Sequence, residues 1–165
     1  MITLERLKEL LDFDPATGIF HWRISRGRAR KGDPVGHRKQ SDRGKTFYIR
    51  LELDGVKYYA HDLAWFWTYE VWPDFLMDHK DRNGEHNWVD NLRESTPSLN
   101  SFNVAVRDDS ESGYAGVTKN KNKWQARIGH QGKKYYLGAF YKLEEAVAVR
   151  AAKAKELYGD FVVES

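Results

Sequence analysis

Apolar positions along the chain follow two rhythms, and each predicts an element type. In TLERLKELLDF (3–13), Leu4, Leu7, Leu10 and Leu11 fall at helical spacing, with Thr3 placed to cap. DPATG (14–18) signals a turn, and IFHWR (19–23) reads as a short strand. FYIRLEL (47–53) alternates strictly, Phe47, Ile49, Leu51 and Leu53 against Tyr48, Arg50 and Glu52. Asp54-Gly55 then turns the chain into VKYYA as a hairpin. In HDLAWFWTYEVW (61–72) the rhythm is helical again, with Leu63, Ala64, Trp67 and Val71 on one face and Pro73 as terminator. FLMDHKD (75–81) and NLREST (91–96) read as two short strands around a polar loop. TPSLNSFNVAV reads as a helix with Thr96 at its cap and Pro97 at its first position. After DDSESG come three strand patterns, GYAGVT, KWQARIG and KKYYLGAF. An Ala-rich helix, LEEAVAVRAAKAKELY, closes on Gly159, although Lys142 stands where a capping side chain is expected.

The expected fold class is therefore α+β, built from small mixed modules: a helix and hairpin, a central ββα core and a C-terminal βββα domain. The expected boundaries are 1–60, 61–107, a linker at 108–112, and 113–165. The segment 23–45 interrupts the periodicity. Nine Lys/Arg residues and four glycines stand there against Asp33 and Asp42, which reads as a basic loop.

Charge sharpens this division. The net charge of +3 hides +5 over residues 1–46, −7 over 47–112 and +5 over 113–165. Two basic ends flank an acidic middle, a pattern suited to a polyanion. The chain has no cysteine, which excludes disulfide scaffolds, thiol catalysis and Cys-bound zinc. No apolar run approaches the roughly 20 residues of a membrane span. Acidic residues among the apolar ones at the N-terminus are unlike a signal peptide, so an intracellular protein is expected.

The chemistry concentrates at Asp78-His79, at the end of an apolar strand pattern. Asn83, Asn87, Asn91, Asn100 and Asn103 follow. A carboxylate and an amide oxygen are hard ligands suited to Mg²⁺ or Mn²⁺. An imidazole of ordinary pKa about 6.5 accepts a proton at neutral pH. A polar turn with an incidental Asp-His pair fits the same residues.

MDHKDRNGEHNWVDNLREST…LNSFN resembles the HNH nuclease module of phage-type homing endonucleases, and the layout from HDLAWF through NSFN follows that family. The resemblance implies a ββα-metal fold cleaving DNA phosphodiesters. His79 would be the general base. Asn91 would hold the loop and orient the histidine through backbone hydrogen bonds. Asp78 and Asn100 would hold one divalent metal, Mg²⁺ or Mn²⁺, with Asn103 the rival helix ligand. Asn87 is the rival for the middle position. His86 reads as solvated or facing phosphate. Arg93 reads as a phosphate or structural contact, and His61 as packing locally or meeting phosphate.

GYAGVTKNKNKWQARIGHQGKKYYLGAFYKLEEAVAVRAAKAKELYG resembles the DNA-binding domain of plant ethylene-response (APETALA-type) factors. There a three-stranded sheet enters the major groove and a helix supports it. Ala115 and Thr118 stand where that family carries arginines, so its base readout does not transfer. The expected DNA contacts are Lys121, Lys123, Trp124, Arg127, Lys133 and Lys134 here, with Arg26, Arg28, Arg30, Lys31, Arg38, Lys39 and Arg43 in the basic segment. For Trp124, packing beneath the sheet is the alternative.

The expected function is a metal-dependent, homing-type DNA endonuclease, encoded by a phage or prophage and acting in the host cytoplasm. It would work on double-stranded DNA as a monomer or homodimer. The alternatives are a DNA-binding regulator with a decayed nuclease core, and an RNA-directed module with the same charge pattern.

Overall fold

The computed structural model describes residues 1–41, 46–96, 99 and 110–159. It is a mixed α+β fold in two compact units, Met1–Ser95 and Thr96–Ser165.

In the first unit, helix α1 (Leu4–Leu10) starts where Thr3 accepts a hydrogen bond from the Arg6 amide at 3.2 Å. Leu11 fits the helical spacing but opens strand β1 (Leu11–Asp14) instead, paired antiparallel with β2 (Ile19–Trp22). The basic segment expected to be all loop contains strand β3 (His37–Gln40), which pairs with β4 (Phe47–Leu53). Its sequence, HRKQ, has no apolar alternation because it lies at a sheet edge, where charged side chains face water. Strand β5 (Val56–Tyr59) completes this sheet through the Asp54-Gly55 turn, whose φ values of 49° and 79° are those of a tight hairpin.

Helix α2 (Ala60–Tyr69) ends three residues earlier than the apolar pattern suggests. Glu70 takes the left-handed conformation at φ 60°, and its amide closes the helix on the Phe66 carbonyl. Val71 therefore leaves the expected face and is exposed, while Trp72 folds back edge-on against Tyr58 and Phe66. Strands β6 (Leu76–His79) and β7 (Leu92–Ser95) form a separate antiparallel pair, with a 3₁₀ turn at Val89–Asn91 leading into β7.

One apolar core serves this whole unit. Leu7, Leu10, Leu11 and Phe20 pack in the same cluster as Leu51, Leu53, Leu63, Ala64 and Leu92. The core thus joins residues on both sides of position 60.

In the second unit, Thr96 Oγ accepts from the Leu99 amide at 3.2 Å, the cap expected from the sequence. Asn100, Asn103 and most of the expected helix after Pro97 lie outside the described residues, as does Arg43. Strands β8 (Val117–Asn120), β9 (Lys123–His130) and β10 (Lys133–Phe140) form an antiparallel sheet with β9 central. Helix α3 (Leu143–Tyr158) packs on it. Lys142 supplies no side-chain cap, and Gly159 ends the helix with φ 54°. The alanines let helix and sheet approach: Ala146 meets Val117 and Ala126, and Ala154 and Tyr158 meet Ile128. Gly116 is required by contact, since a Cβ there would stand 2.4 Å from the Arg127 carbonyl oxygen.

Leu7 lies 71 residues before Asp78 yet is fully buried in the core shared with Leu63 and Leu92. Leu7→Ala is expected to cost about 2–5 kcal/mol, read as a lower urea midpoint for the transition of the first unit. A loss under 1 kcal/mol would mean that α1 is peripheral.

Candidate functional site

Strand β6 carries Asp78 and His79 at its end, both buried. The antiparallel register places Asp78 opposite Arg93 and His79 opposite Leu92. Arg93 Nε and Nη2 both reach Asp78 Oδ2, at 2.9 and 2.8 Å. Of the two roles expected for Arg93, a phosphate or a structural contact, the structural one is seen here: it is an ion-pair partner of the carboxylate, and its side chain is largely buried.

His79 Nε2 lies 3.2 Å from Asn87 Oδ1. The Asn87 Nδ2 donates to the Glu85 carbonyl at 2.9 Å, which leaves Oδ1 turned to the imidazole. An amide oxygen only accepts, so the His79 proton sits on Nε2 and the ring's lone pair on Nδ1. Burial pushes the His79 pKa below its ordinary value, against the opposing pull of the Asn87 hydrogen bond and of the Asp81 and Asp78 charges. The ring is therefore neutral at neutral pH.

Asn91 works on the loop. Its Oδ1 accepts from the Asp81 amide at 3.1 Å, and its Nδ2 donates to Asp81 Oδ1 at 3.0 Å and to the His86 carbonyl at 2.8 Å. The two asparagines considered for the middle position thus divide the work: Asn91 ties the loop backbone, and Asn87 meets the histidine. His86, expected to be solvated or facing phosphate, is built into the loop. Its Nδ1 pairs with Asp81 Oδ2 at 2.5 Å, its Nε2 lies 3.1 Å from Asn83 Nδ2, and its ring stacks on Trp88. Burial alone would raise the Asp81 carboxyl, but hydrogen bonds from Asn83, His86 and Asn91 outweigh it and hold its pKa below the ordinary value.

Two glycines let other elements touch this loop. A Cβ on Gly18, in the β1–β2 turn, would fall 2.2 Å from the Trp88 amide nitrogen and 2.3 Å from the Asn87 carbonyl carbon. One on Gly84 would meet the Phe47 carbonyl oxygen at 2.4 Å and the Tyr48 ring at 2.5 Å.

Behind His79 stand three more rings. His61, at the start of α2, meets His79 edge to face with centroids 5.2 Å apart. Tyr59 stacks on His61 at 5.2 Å, and Tyr48 contacts Tyr59, His61 and His79 at 5.6–6.0 Å. His61 does pack locally, one of the two roles expected for it. Burial and the neighbouring His79 push its pKa down to about 3, and burial pushes Asp62 up to about 6. The sequence reading missed Tyr48 and Tyr59, although a signal existed. The Asp-Gly hairpin sets Arg50 opposite Tyr59, which puts Tyr48 diagonal to Tyr59 on one sheet face.

Among the described residues, no three His, Cys, Asp or Glu side chains gather as a metal site. The expected donor set is smaller, and half of it is described: the Asp78 carboxylate is a buried hard-oxygen donor and fits Mg²⁺ or Mn²⁺ in kind. A metal there would share that carboxylate with Arg93.

The remaining expected DNA contacts are distributed over the two units. Arg26 pairs with Asp54 and lies over Trp22. Arg38 pairs with Glu85 at 2.8 Å and stacks on Phe47 at 3.8 Å. Arg28, Lys31 and Lys39 lie on the same basic segment, with Arg30. In the second unit, exposed Arg127 and Tyr136 face each other across β9 and β10, with the guanidinium 5.9 Å from the ring centroid. Lys133 and Lys134 are exposed, Lys121 sits in the β8–β9 turn at φ 54°, and Lys123 lies over Tyr141 at 4.5 Å. Trp124 packs against the Val117–Ala126–Ala146 cluster, with Lys119 over its ring.

Among known proteins, the chain is 30% identical to Protein 3.8 of Escherichia phage T7 over 89 residues, which are 53% of this chain and 73% of that protein. It is 33% identical over 89 residues to a protein of Acanthamoeba polyphaga mimivirus named Uncharacterized HNH endonuclease L560, again 53% of this chain but 46% of the relative. The match therefore spans about half the length of the mimivirus protein. No family model matches the chain, and no solved structure does. The chain belongs to the family of phage T7 Protein 3.8.

The adjacent His61 and Asp62 have opposite linkage signs. The folded His61 value lies below the ordinary 6.5, so between about pH 3 and 6.5 the unfolded chain holds the extra proton and stability falls as pH drops. The folded Asp62 value lies above the ordinary 3.8, so between 3.8 and about 6 the folded protein holds the extra proton and gains stability as pH drops. The two offset each other across about pH 4–6. Asp62→Asn removes the offset, and its urea midpoint is expected to fall progressively relative to the unsubstituted protein as pH goes from 6.5 to 4. A constant gap over that range would contradict the burial of Asp62 as its cause.

Proposed function

We propose that this chain is a metal-dependent DNA endonuclease of the HNH type. The observation that carries the reading is a buried carboxylate and a buried neutral imidazole side by side at one strand end, with the imidazole's Nε2 committed to an amide oxygen. The likeness to a mimivirus protein named an HNH endonuclease supports it.

In this reading His79 Nδ1 takes the proton from the attacking water. Asn87 fixes the tautomer that makes Nδ1 the base, and Asn91 keeps the loop that presents Asn87. Asp78 holds Mg²⁺ or Mn²⁺ together with Asn100, and Arg93 fixes the plane of the Asp78 carboxylate. When bound, the dication supplies Lewis-acid stabilisation of charge on the phosphate and on the leaving oxygen. The products are a 5′-phosphate and a 3′-hydroxyl. The basic segment and the exposed Arg127–Tyr136 face with its lysines each bind duplex phosphate. The second unit acts as an ethylene-response-factor-type DNA-binding domain in this scheme.

Purified protein with Mg²⁺ or Mn²⁺ is expected to nick or linearise plasmid, and EDTA to stop it. His79→Ala is expected to lower the cleavage rate by about 10²–10⁴ while DNA affinity by fluorescence anisotropy stays within threefold. Binding without cleavage in the unsubstituted protein, or full activity in His79→Ala, would reject the reading.

A further inference from the structure

The proposed chemistry uses the end of β6 and leaves the adjoining face of the β3–β4–β5 sheet without a task. Antiparallel register fixes what stands on that face. Tyr48 lies opposite Lys39, and Arg50 lies between His37 on β3 and Tyr59 on β5. Directly opposed side chains share a face, as do residues two apart on one strand. This face borders the Asp78–His79 site. The Tyr48 ring contacts His79 at 6.0 Å, and Tyr59 stacks on His61, which meets His79. Burial and, after it, the Asp78 charge push the Tyr48 phenol up, so its hydroxyl stays protonated. Tyr59 is 40% exposed, so the face is open to solvent beside the site.

Arg50 stands out on it. The residue is half-buried, and its Nε is fully buried with no acceptor among the described residues. In the same unit Arg6, Arg23, Arg38 and Arg93 each pair with a carboxylate. A guanidinium keeps its charge at any ordinary pH, and a buried donor without an acceptor costs stability in the empty protein. Its fork matches the oxygens of a phosphate. Cationic side chains interleaved with exposed rings fit a nucleic-acid strand, which offers phosphates and flat bases in turn, better than an isolated anion.

We propose that Arg50 is a substrate-binding residue: it holds a backbone phosphate of the DNA strand being cut, next to the phosphate at Asp78–His79, with that strand lying along the Tyr48–Arg50–Tyr59 face. Tyr48 and Arg50 are two residues apart, about 7 Å along β4, which is close to the spacing of successive phosphates on one strand. The contact adds to those of the basic segment and lies nearer the chemistry. It rests on the endonuclease reading for the identity of the cut phosphate, whereas the contact with DNA needs no cleavage.

The test uses the full chain, a fluorescein-labelled duplex oligonucleotide and EDTA, so that binding is read without cleavage. Arg50→Gln is expected to weaken binding about tenfold and to lower the slope of log affinity against log salt by about 0.9, the share of one phosphate. Its urea midpoint is expected to equal or exceed that of the unsubstituted protein, because an unmatched buried charge is removed. Arg50→Lys keeps the charge and is expected to keep the slope. In the unsubstituted protein the Arg50 Nε–H resonance, identified by its loss in Arg50→Lys, is expected to shift when duplex is added. An unchanged slope in Arg50→Gln, or an equal loss of slope in Arg50→Lys, would overturn the proposal. If the glutamine variant does not fold, an Nε–H resonance that duplex leaves unmoved would overturn it as well. Absence of Mg²⁺-dependent cleavage with these binding results intact would reject the endonuclease reading alone.

Discussion

Two backbone contacts too close for any side chain govern the arrangement at the end of β6. Gly18 lies against the backbone of Asn87 and Trp88, and Gly84 against Phe47 and Tyr48. Each fixes the loop between β6 and β7 from a different N-terminal element, the β1–β2 turn in one case and β4 in the other. With both ends seated, Asn87 is buried to 1% exposure and its amide has one usable orientation. The His79 tautomer follows from that orientation. A methyl group at either glycine would have to displace backbone, which moves Asn87 and its contact with His79.

The same packing buries the ionisable groups behind β6. His79, His61 and Asp62 all shift toward their neutral forms, and burial is the first cause each time. In low dielectric a neutral imidazole next to a carboxylate suits a division of labour. In the proposed reading the histidine would handle the proton, and the carboxylate would hold a cation beside Arg93. The N-terminal sheet is thus the rear wall of the site as well as the carrier of the basic segment. This is why the core of the first unit runs from Leu7 to Leu92.

The elements legible in the sequence were those whose pattern admits one reading. FYIRLEL-Asp-Gly-VKYY alternates strictly and turns on two residues, and its strands lie as expected. Leu11 satisfied both a helical and an extended pattern, and pairing with Trp22 decided between them. Strand β3 was illegible because an exposed edge strand needs no apolar alternation. The early end of α2 was illegible because Glu70, not glycine, takes the left-handed conformation. In the site, Asp78 and His79 stood out as a pair at the end of an apolar strand pattern, and Asn91 only through the resemblance to HNH nucleases. The sharing of tasks between Asn87 and Asn91 depends on the path of the loop backbone, which spacing does not encode. The meeting of His61 with His79, across 18 residues of sequence, depends on where the start of α2 lies relative to the end of β6.

The division between a metal-holding carboxylate and a proton-accepting histidine is tested most directly by anomalous diffraction from crystals grown with Mn²⁺. One Mn²⁺ is expected on the Asp78 carboxylate, with His79 outside coordinating distance and its Nε2 still on Asn87. A Mn²⁺ ligated by the His79 imidazole, or no Mn²⁺ at Asp78, would contradict that division.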